Sequence, residues 1–151
     1  MTNQQLAQDL LAQRRLALVG VSREARDFTR GVLRELVRRG YQVEPINPAA
    51  AGALFDDRPV VARFAELAGP VDGAFFFTPP SRTAAAVEEA LAAGVRRIWF
   101  HRGAGAGASS PAALAACRAA GVEPVVDLCP YMALSGAGWF HRLHAFLRHR
   151  G

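Results

Sequence analysis

The stretch LALVGVSREARDFTRG, Leu16 to Gly31, runs from an apolar strand-length segment through a small-residue turn into a segment with helical spacing. Downstream, DFTRGVLRELVRRG puts Phe28, Val32, Leu36 and Val37 near one helical face and offers Gly40 as the C-terminal cap. A second apolar run, YQVEPINP (41–48), closes at an Asn-Pro turn signal. The three pieces form a strand, helix, strand unit.

That unit repeats. VDGAFFFT (71–78) reads as a strand and SRTAAAVEEALAAG (81–94) as a helix capped by Ser81 or Thr83, with VRRIWFH (95–101) as the next strand. SSPAALAACRAAG (109–121) reads as a helix with Ser109 or Ser110 as its cap and Pro111 just inside, followed by the strand VEPVVDL (122–128). Strands alternating with helices require a parallel sheet covered on both faces. The expectation is an α/β, Rossmann-like, doubly wound parallel sheet of about five strands in a three-layer αβα arrangement, with extra N- and C-terminal helices. Residues 49–70 are the least regular and read as a loop with one short helix.

The 151 residues fit a single domain, with a core over about 15–128 and a helical tail over 129–151. No apolar run approaches the roughly 20 residues of a membrane-spanning helix. The amphipathic start MTNQQLAQDLLAQRR is unlike a secretory signal, so a soluble cytoplasmic protein is expected. Cys117 and Cys129 have no metal-type spacing and suggest no disulfide framework. The formal charge is +5, and all 18 basic residues are arginine. Coding bias explains such a bias as well as function does, yet every positive group is then a planar fork suited to phosphate. A net positive field favours anionic partners without choosing among them.

In doubly wound sheets, ligands settle beyond the carboxyl ends of the strands, where the strand order reverses. The segments to watch are therefore Gly20 to Arg26, Asn47 and Pro48, Thr78 to Arg82, and His101 to Gly107. A dinucleotide loop uses three glycines and an acidic residue closing the second strand. Here Gly20 is followed by Val21 and Ser22, and the second strand closes with Asn47, which disfavours NAD in its usual pose. The turn still aims backbone N–H groups and a helix N-terminus at whatever lies above it, and phosphate is the natural occupant. Arg23, Arg26 and Arg30 follow within one loop and the first helical turn. Each alone reads as readily as a solvated residue, but their joint position suits a ligand richer in phosphate than a plain dinucleotide.

Other segments have two readings of similar weight. TPPSR is either a rigid apolar wall for a base, built on Pro79 and Pro80 with Arg82 behind it, or a plain strand-to-helix turn. HRGAGAGASS (101–110) is either an anion nest or a mobile linker, and His101 either titrates at the ligand edge or faces solvent. Cys129 reads as a small buried hydrophobe rather than a reactive thiol. The tail GWFHRLHAFLRHRG (138–151) reads as a helix packing back on the domain or on a second copy, and a metal shared by His141 and His144 is disfavoured. No nucleophile and base pair is visible, so no catalytic residue and no metal site is assigned.

Four elements in order now carry a resemblance: LALVGVSRE, VLRELVRRGYQVEPINP, VDGAFFFTPPSRTAAAVEEALAAG and VRRIWFHRGAG. The sequence resembles the CoA-binding domain family, stand-alone relatives of the N-terminal domain of the succinyl-CoA synthetase alpha subunit. The likeness runs from Leu16 to Leu128 and departs at the longer loop RGAGAGASSP and in the tail. It implies that Gly20, Val21 and Ser22 meet a diphosphate and that Asn47 and Pro48 lie near the adenosine. It further implies that Thr78, Pro79 and Pro80 wall the nucleotide, with His101 and Gly103 beside it. The synthetases carry their phosphorylated histidine on a further domain, so that activity is not expected of this sequence.

The expected function is binding of coenzyme A or an acyl-CoA, in the cleft at the carboxyl ends of the strands, by a non-enzymatic binding or regulatory module. Coenzyme A carries a diphosphate and a 3′-phosphate, which fits an arginine-rich turn without a ribose-reading carboxylate. One of Arg23, Arg26 and Arg30 is expected to pair with a phosphate, foremost Arg23 or Arg26. The alternative is an NAD(P)- or nucleotide-dependent enzyme component using the same cleft. A protein partner or homodimer is left open, while nucleic acid and membrane are not expected as partners.

Overall fold

A computed structural model describes residues 1–102 and 107–135. Helix α1 (Asn3–Leu11) precedes strand β1 (Arg15–Val19), helix α2 (Phe28–Arg38) and strand β2 (Gln42–Ile46). The short strands β3 (Leu54–Phe55) and β4 (Arg58–Pro59) come next. Then follow β5 (Gly73–Phe76), α3 (Pro80–Ala92), β6 (Ile98–His101), α4 (Pro111–Ala119), β7 (Val125–Leu128) and α5 (Pro130–Ser135).

The main sheet has five strands in the order β2-β1-β5-β6-β7, and all its pairings are parallel. Period-two alternation sorts its side chains into two cores. Leu16, Leu18, Phe75 and Trp99 face Leu10, Leu33, Leu36 and Leu134, which come from α1, α2 and α5. Ala17, Val19, Ala74, Phe76, Ile98 and Phe100 face Val87, Ala90, Ala113 and Cys117 of α3 and α4. A sheet buried on both faces needs near-continuous apolar strands, and LALV, GAFF and IWF supply them. The doubly wound three-layer expectation is met.

The chain leaves β1 to build β2 on one side, then returns to lay β5 on the other. The strand order therefore reverses between β1 and β5, which puts the crevice over Val19 and Phe76. The edge of β7 is closed by α1, whose Asn3 amide donates to the Val126 carbonyl at 2.6 Å and accepts from its N–H at 3.0 Å. A side chain there takes the place of another strand.

Two local expectations are corrected. Helix α3 is not capped by Ser81 or Thr83: Pro79 holds the N-cap position without a side-chain bond, and Pro80 opens the helix. Proline at the first helical position needs no N–H partner and already has a helical φ, so it overrides the hydroxyl signals. Residues 49–70 hold the β3–β4 hairpin and, with Pro48, two single 3₁₀ turns, Pro48–Ala50 and Phe64–Glu66, rather than one short helix. The cap of α4 is Ser110, as expected, with its side chain accepting from the Ala113 N–H at 3.1 Å. Of the expected tail, residues 136–151 lie outside the described residues, and with them His141 and His144.

Candidate functional site

Gly20 makes the first turn possible. Its φ is +89°, and a Cβ there would stand 3.2 Å from the Phe77 carbonyl carbon and the Thr78 nitrogen. Side chains would thus clash with the end of β5 as well as strain the backbone. After Gly20 the turn is held by side chains where a dinucleotide loop would use glycines. Asn47 donates its amide N–H to the Val21 carbonyl at 2.8 Å and accepts from the Ala49 N–H at 2.9 Å. Thr29 Oγ1 accepts the Ser22 N–H at 2.8 Å and donates its own O–H to the Asp27 carboxylate at 2.6 Å. Arg30 Nη1 reaches the carbonyls of Ser22 at 3.5 Å and Arg23 at 3.2 Å. Arg34 donates to the Ala25 carbonyl at 2.8 Å.

With these groups engaged, the N–H donors of Val21 and Arg23 meet no acceptor among the described residues. Val21 is fully buried, so at the strand-order reversal it is the donor of the exposed Arg23 that the turn offers to the cavity.

Beside it opens a cavity of about 390 Å³, within the range of small-molecule pockets. Gly20, Ser22 and Arg23 line it from the turn, and Ile46, Asn47 and Pro48 from the end of β2. Thr78 and Pro79 line it after β5, and Phe64 from the second 3₁₀ turn. Arg82, Ala85, Ala86 and Glu89 complete it from α3. The guanidinium groups of Arg23 and Arg82 have no carboxylate partner among the described residues. Thr83, wholly buried, donates to the Pro79 carbonyl at 3.1 Å, so the Thr78 hydroxyl 2.6 Å away donates to Thr83 and keeps its lone pairs for other donors.

The structure therefore brings Gly20, Ser22, Arg23, Asn47, Pro48, Thr78, Pro79 and Arg82 to one cavity. It does not bring all the expected residues there. Val21 is buried beneath the turn, and the exposed Arg26 and the helix-opening Pro80 lie outside the cavity lining. Arg30 is 7% exposed and packed under the turn, its guanidinium over the Phe55 ring. Gly103 lies outside the described residues.

His101 is neither a loop residue nor part of this cavity. It ends β6 on the sheet face of Trp99, and its ring stacks on Phe28 at 5.0 Å and tilts against Phe77 at 5.3 Å. Its Nδ1 is buried without a hydrogen-bond partner among the described residues, and desolvation holds its pKa below the usual histidine value. A neutral ring packed between phenyl groups is poorly placed to act as a charge near a ligand.

Residues that sequence reasoning passed over include Phe64, Ala85, Ala86 and Glu89. The last three follow from Arg82 by helical spacing, since positions three, four and seven residues on share its face. Phe64 carried no such signal.

Among the described residues no group of His, Cys, Asp and Glu is arranged to hold a metal, and no helix is long and apolar enough to cross a membrane.

A sequence profile for the CoA binding domain matches residues 14–135. The chain belongs to the CoA binding domain family. Its structure is similar to that of a protein from Thermus thermophilus, with a TM-score of 0.75 and 29% identity over 85% of this chain and 93% of that one. A conserved protein from Pyrococcus furiosus is similar at a TM-score of 0.69 and 28% identity, over 82% of this chain and 99% of that one. The fold also recurs in an acetyl-coenzyme A synthetase from Candidatus Korarchaeum cryptofilum, at a TM-score of 0.61 and 21% identity. That match covers 73% of this chain and 25% of the synthetase.

Proposed function

We propose that this CoA binding domain holds coenzyme A or an acyl-CoA in the cavity at the carboxyl ends of β1, β2 and β5, as a cytoplasmic binding or regulatory module and not as an enzyme. The observation that carries the reading is the free backbone donor of Arg23 together with the guanidinium groups of Arg23 and Arg82, which have no carboxylate partner among the described residues, around one cavity. Backbone donors at a helix-initiating turn suit a diphosphate, and a separate guanidinium suits the additional 3′-phosphate.

The apolar surfaces of Ile46, Phe64, Pro48 and Ala86 form the natural bed for the adenine. Thr78 gives its hydroxyl proton to the bond with Thr83 and is left as an acceptor, which suits a ribose hydroxyl or an amine. Asn47 has both ends of its amide engaged within the protein, so it does not read a ribose as an acidic residue would. That weighs against an NAD(P)-dependent component. The titratable side chains lining the cavity are Arg23, Arg82 and Glu89, and none of them pairs with the Ser22 hydroxyl as a base would with a nucleophile.

Thermal shift and calorimetry against coenzyme A, acetyl-CoA, NAD, NADP and ATP test the reading. A ligand at a hundredfold over its Kd stabilises the folded chain by about 2.7 kcal/mol. Stabilisation by coenzyme A or acetyl-CoA with little response to NAD and NADP supports the module. A response to NAD or NADP with silence toward coenzyme A overturns it.

A further inference from the structure

The buried arginine beneath the turn is not accounted for by the ligand cavity. Arg30 lies on α2 with its side chain 8% exposed. Its guanidinium stacks 4.3 Å above the buried Phe55 ring, and its Nε donates to the Asp56 carboxylate at 3.2 Å. Asp56 and Asp57 are the two central residues of the β3–β4 hairpin turn, with φ of +48° and +66°. Left-handed backbone at two successive aspartates is strained, and it is here that the carboxylate is delivered to α2. Arg34, one helical turn on, meets the same carboxylate at 3.4 Å. Two guanidinium groups share one carboxylate, which leaves an excess positive charge under the turn.

Such a cluster is a weak device for stability alone, because desolvating ions offsets much of what pairing returns. Its geometry points elsewhere. A trans peptide is planar, so its carbonyl and the following N–H point in opposite directions. Arg30 holds the Ser22 carbonyl from below at 3.5 Å, which turns the Arg23 N–H of the same peptide to the opposite side. At that distance the contact is mainly electrostatic, and the 3.2 Å bond to the Arg23 carbonyl anchors the guanidinium there. Carbonyl dipoles that would repel an anion are thereby drawn to a cation on the underside.

We propose that Arg30, steadied by Phe55 and Asp56, is the positioning residue that makes this turn a receptor for a diphosphate, so that the site selects nucleotides carrying one over the bare nucleoside. The inference rests on the cavity being a nucleotide site, and it makes the β3–β4 hairpin part of that site without touching the ligand.

The test compares adenosine, ADP and coenzyme A by calorimetry on wild type, Arg30→Met and Arg30→Lys, with folding checked by amide NMR. Methionine keeps an extended apolar stem without charge, whereas lysine keeps the charge without the fork. Arg30→Met is expected to weaken ADP and coenzyme A tenfold or more while adenosine stays within twofold, and Arg30→Lys to fall between. The amide resonance of Arg23 should shift in both variants and lose its response to ADP in Arg30→Met. If Arg30→Met does not fold, Arg30→Lys decides, with at least a threefold fall in the ADP-to-adenosine affinity ratio expected. Equal losses for adenosine and ADP, or no loss for ADP, overturn the proposal while leaving coenzyme A binding by wild type intact. Wild-type binding of ADP without coenzyme A overturns the function proposed above and leaves the role of Arg30 standing on the ADP data. A wild type that binds none of the three overturns both.

Discussion

The side-chain amide of Asn47 donates to the Val21 carbonyl at 2.8 Å, tying the end of β2 to the turn that follows β1. Through the planarity of that peptide the bond also directs the Ser22 N–H toward Thr29, where it is accepted at 2.8 Å. One side chain thus fixes a carbonyl, an N–H and, through its oxygen, the start of the 3₁₀ turn at Pro48.

Asn47→Asp removes the donor and sets a carboxylate against the Val21 carbonyl. The loss of a half-buried bond with an unsatisfied acceptor left behind costs about 1–3 kcal/mol. The variant should melt several degrees lower and bind coenzyme A at least tenfold more weakly. Titration with NAD should still give no response, because an acid placed there disorders the turn instead of reading a ribose. Gain of NAD binding would contradict this account of Asn47.

Gly20 and Gly40 share a positive φ, +89° and +93°, but differ in what a side chain would meet. A Cβ on Gly20 stands 3.2 Å from backbone atoms of Phe77 and Thr78, whereas at Gly40 nothing lies within 4 Å. Both alanine variants bear the strain of left-handed backbone, about 1–3 kcal/mol. Gly20→Ala should unfold at distinctly lower temperature than Gly40→Ala, and ligand binding should weaken in the first alone. Equal melting temperatures would show that the close approach of β1 and β5 costs nothing.

Arg23 and Arg82 approach the cavity from opposite elements, the first turn and the first turn of α3, and neither has a carboxylate partner among the described residues. Replacing a partnerless surface arginine by alanine should leave stability within about 0.5 kcal/mol, which makes both variants clean probes of binding. The variant lacking the group that meets the 3′-phosphate should weaken coenzyme A about tenfold or more, given about 1.5–3 kcal/mol for a charge-assisted bond, and leave dephospho-coenzyme A unchanged. Isothermal titration of both ligands against each variant assigns that group. Equal weakening of both ligands by a variant would place its arginine on the diphosphate.

Legibility in the sequence followed physical redundancy. The main sheet was readable because LALV, GAFF and IWF are apolar on both faces and helical spacing separates them. Gly20, Ser22, Arg23, Asn47 and Thr78 were readable because a doubly wound sheet can present its ligand edge only there. Arg30 was placed with Arg23 and Arg26 by proximity, but its helical position aligns it with Arg34, one turn away, and that face turns to the hairpin. The hairpin itself was hidden: LFDDRP has two-residue strands and an Asp-Asp turn where Asn-Gly or Asp-Gly would have signalled one. For His101 the sequence left open the ligand edge or solvent, although IWFH alternates so that it shares the buried side of Trp99.

Four titrations shape the stability of the fold with pH. Hydrogen bonds from Arg38 and Arg39 hold the Glu35 carboxyl at about 2, down from 4.5. This depressed acid contributes stability that is complete above pH 4.5 and is lost as the pH falls toward 2. Burial depresses His101 below 6.5, so its contribution is complete above that value and is lost as acid forces a charge onto the ring between Phe28 and Phe77. Burial raises the Tyr41 hydroxyl, which donates to the Leu11 carbonyl, from 10.0 to about 12. Its contribution is complete below pH 10.0 and is lost as the pH climbs through 12. Burial likewise raises the Cys117 thiol from 9.0 to about 11, a contribution complete below pH 9.0 and lost as the pH climbs toward 11. Melting temperature should therefore plateau between pH 7 and 9, fall first through the histidine step on the acid side, and fall again below pH 4.5. His101→Phe keeps the stacked ring, removes the buried Nδ1 and should abolish the first acid step while leaving the glutamate step in place. A first step that persists in His101→Phe would assign it to another group and remove the packed neutral histidine from the account.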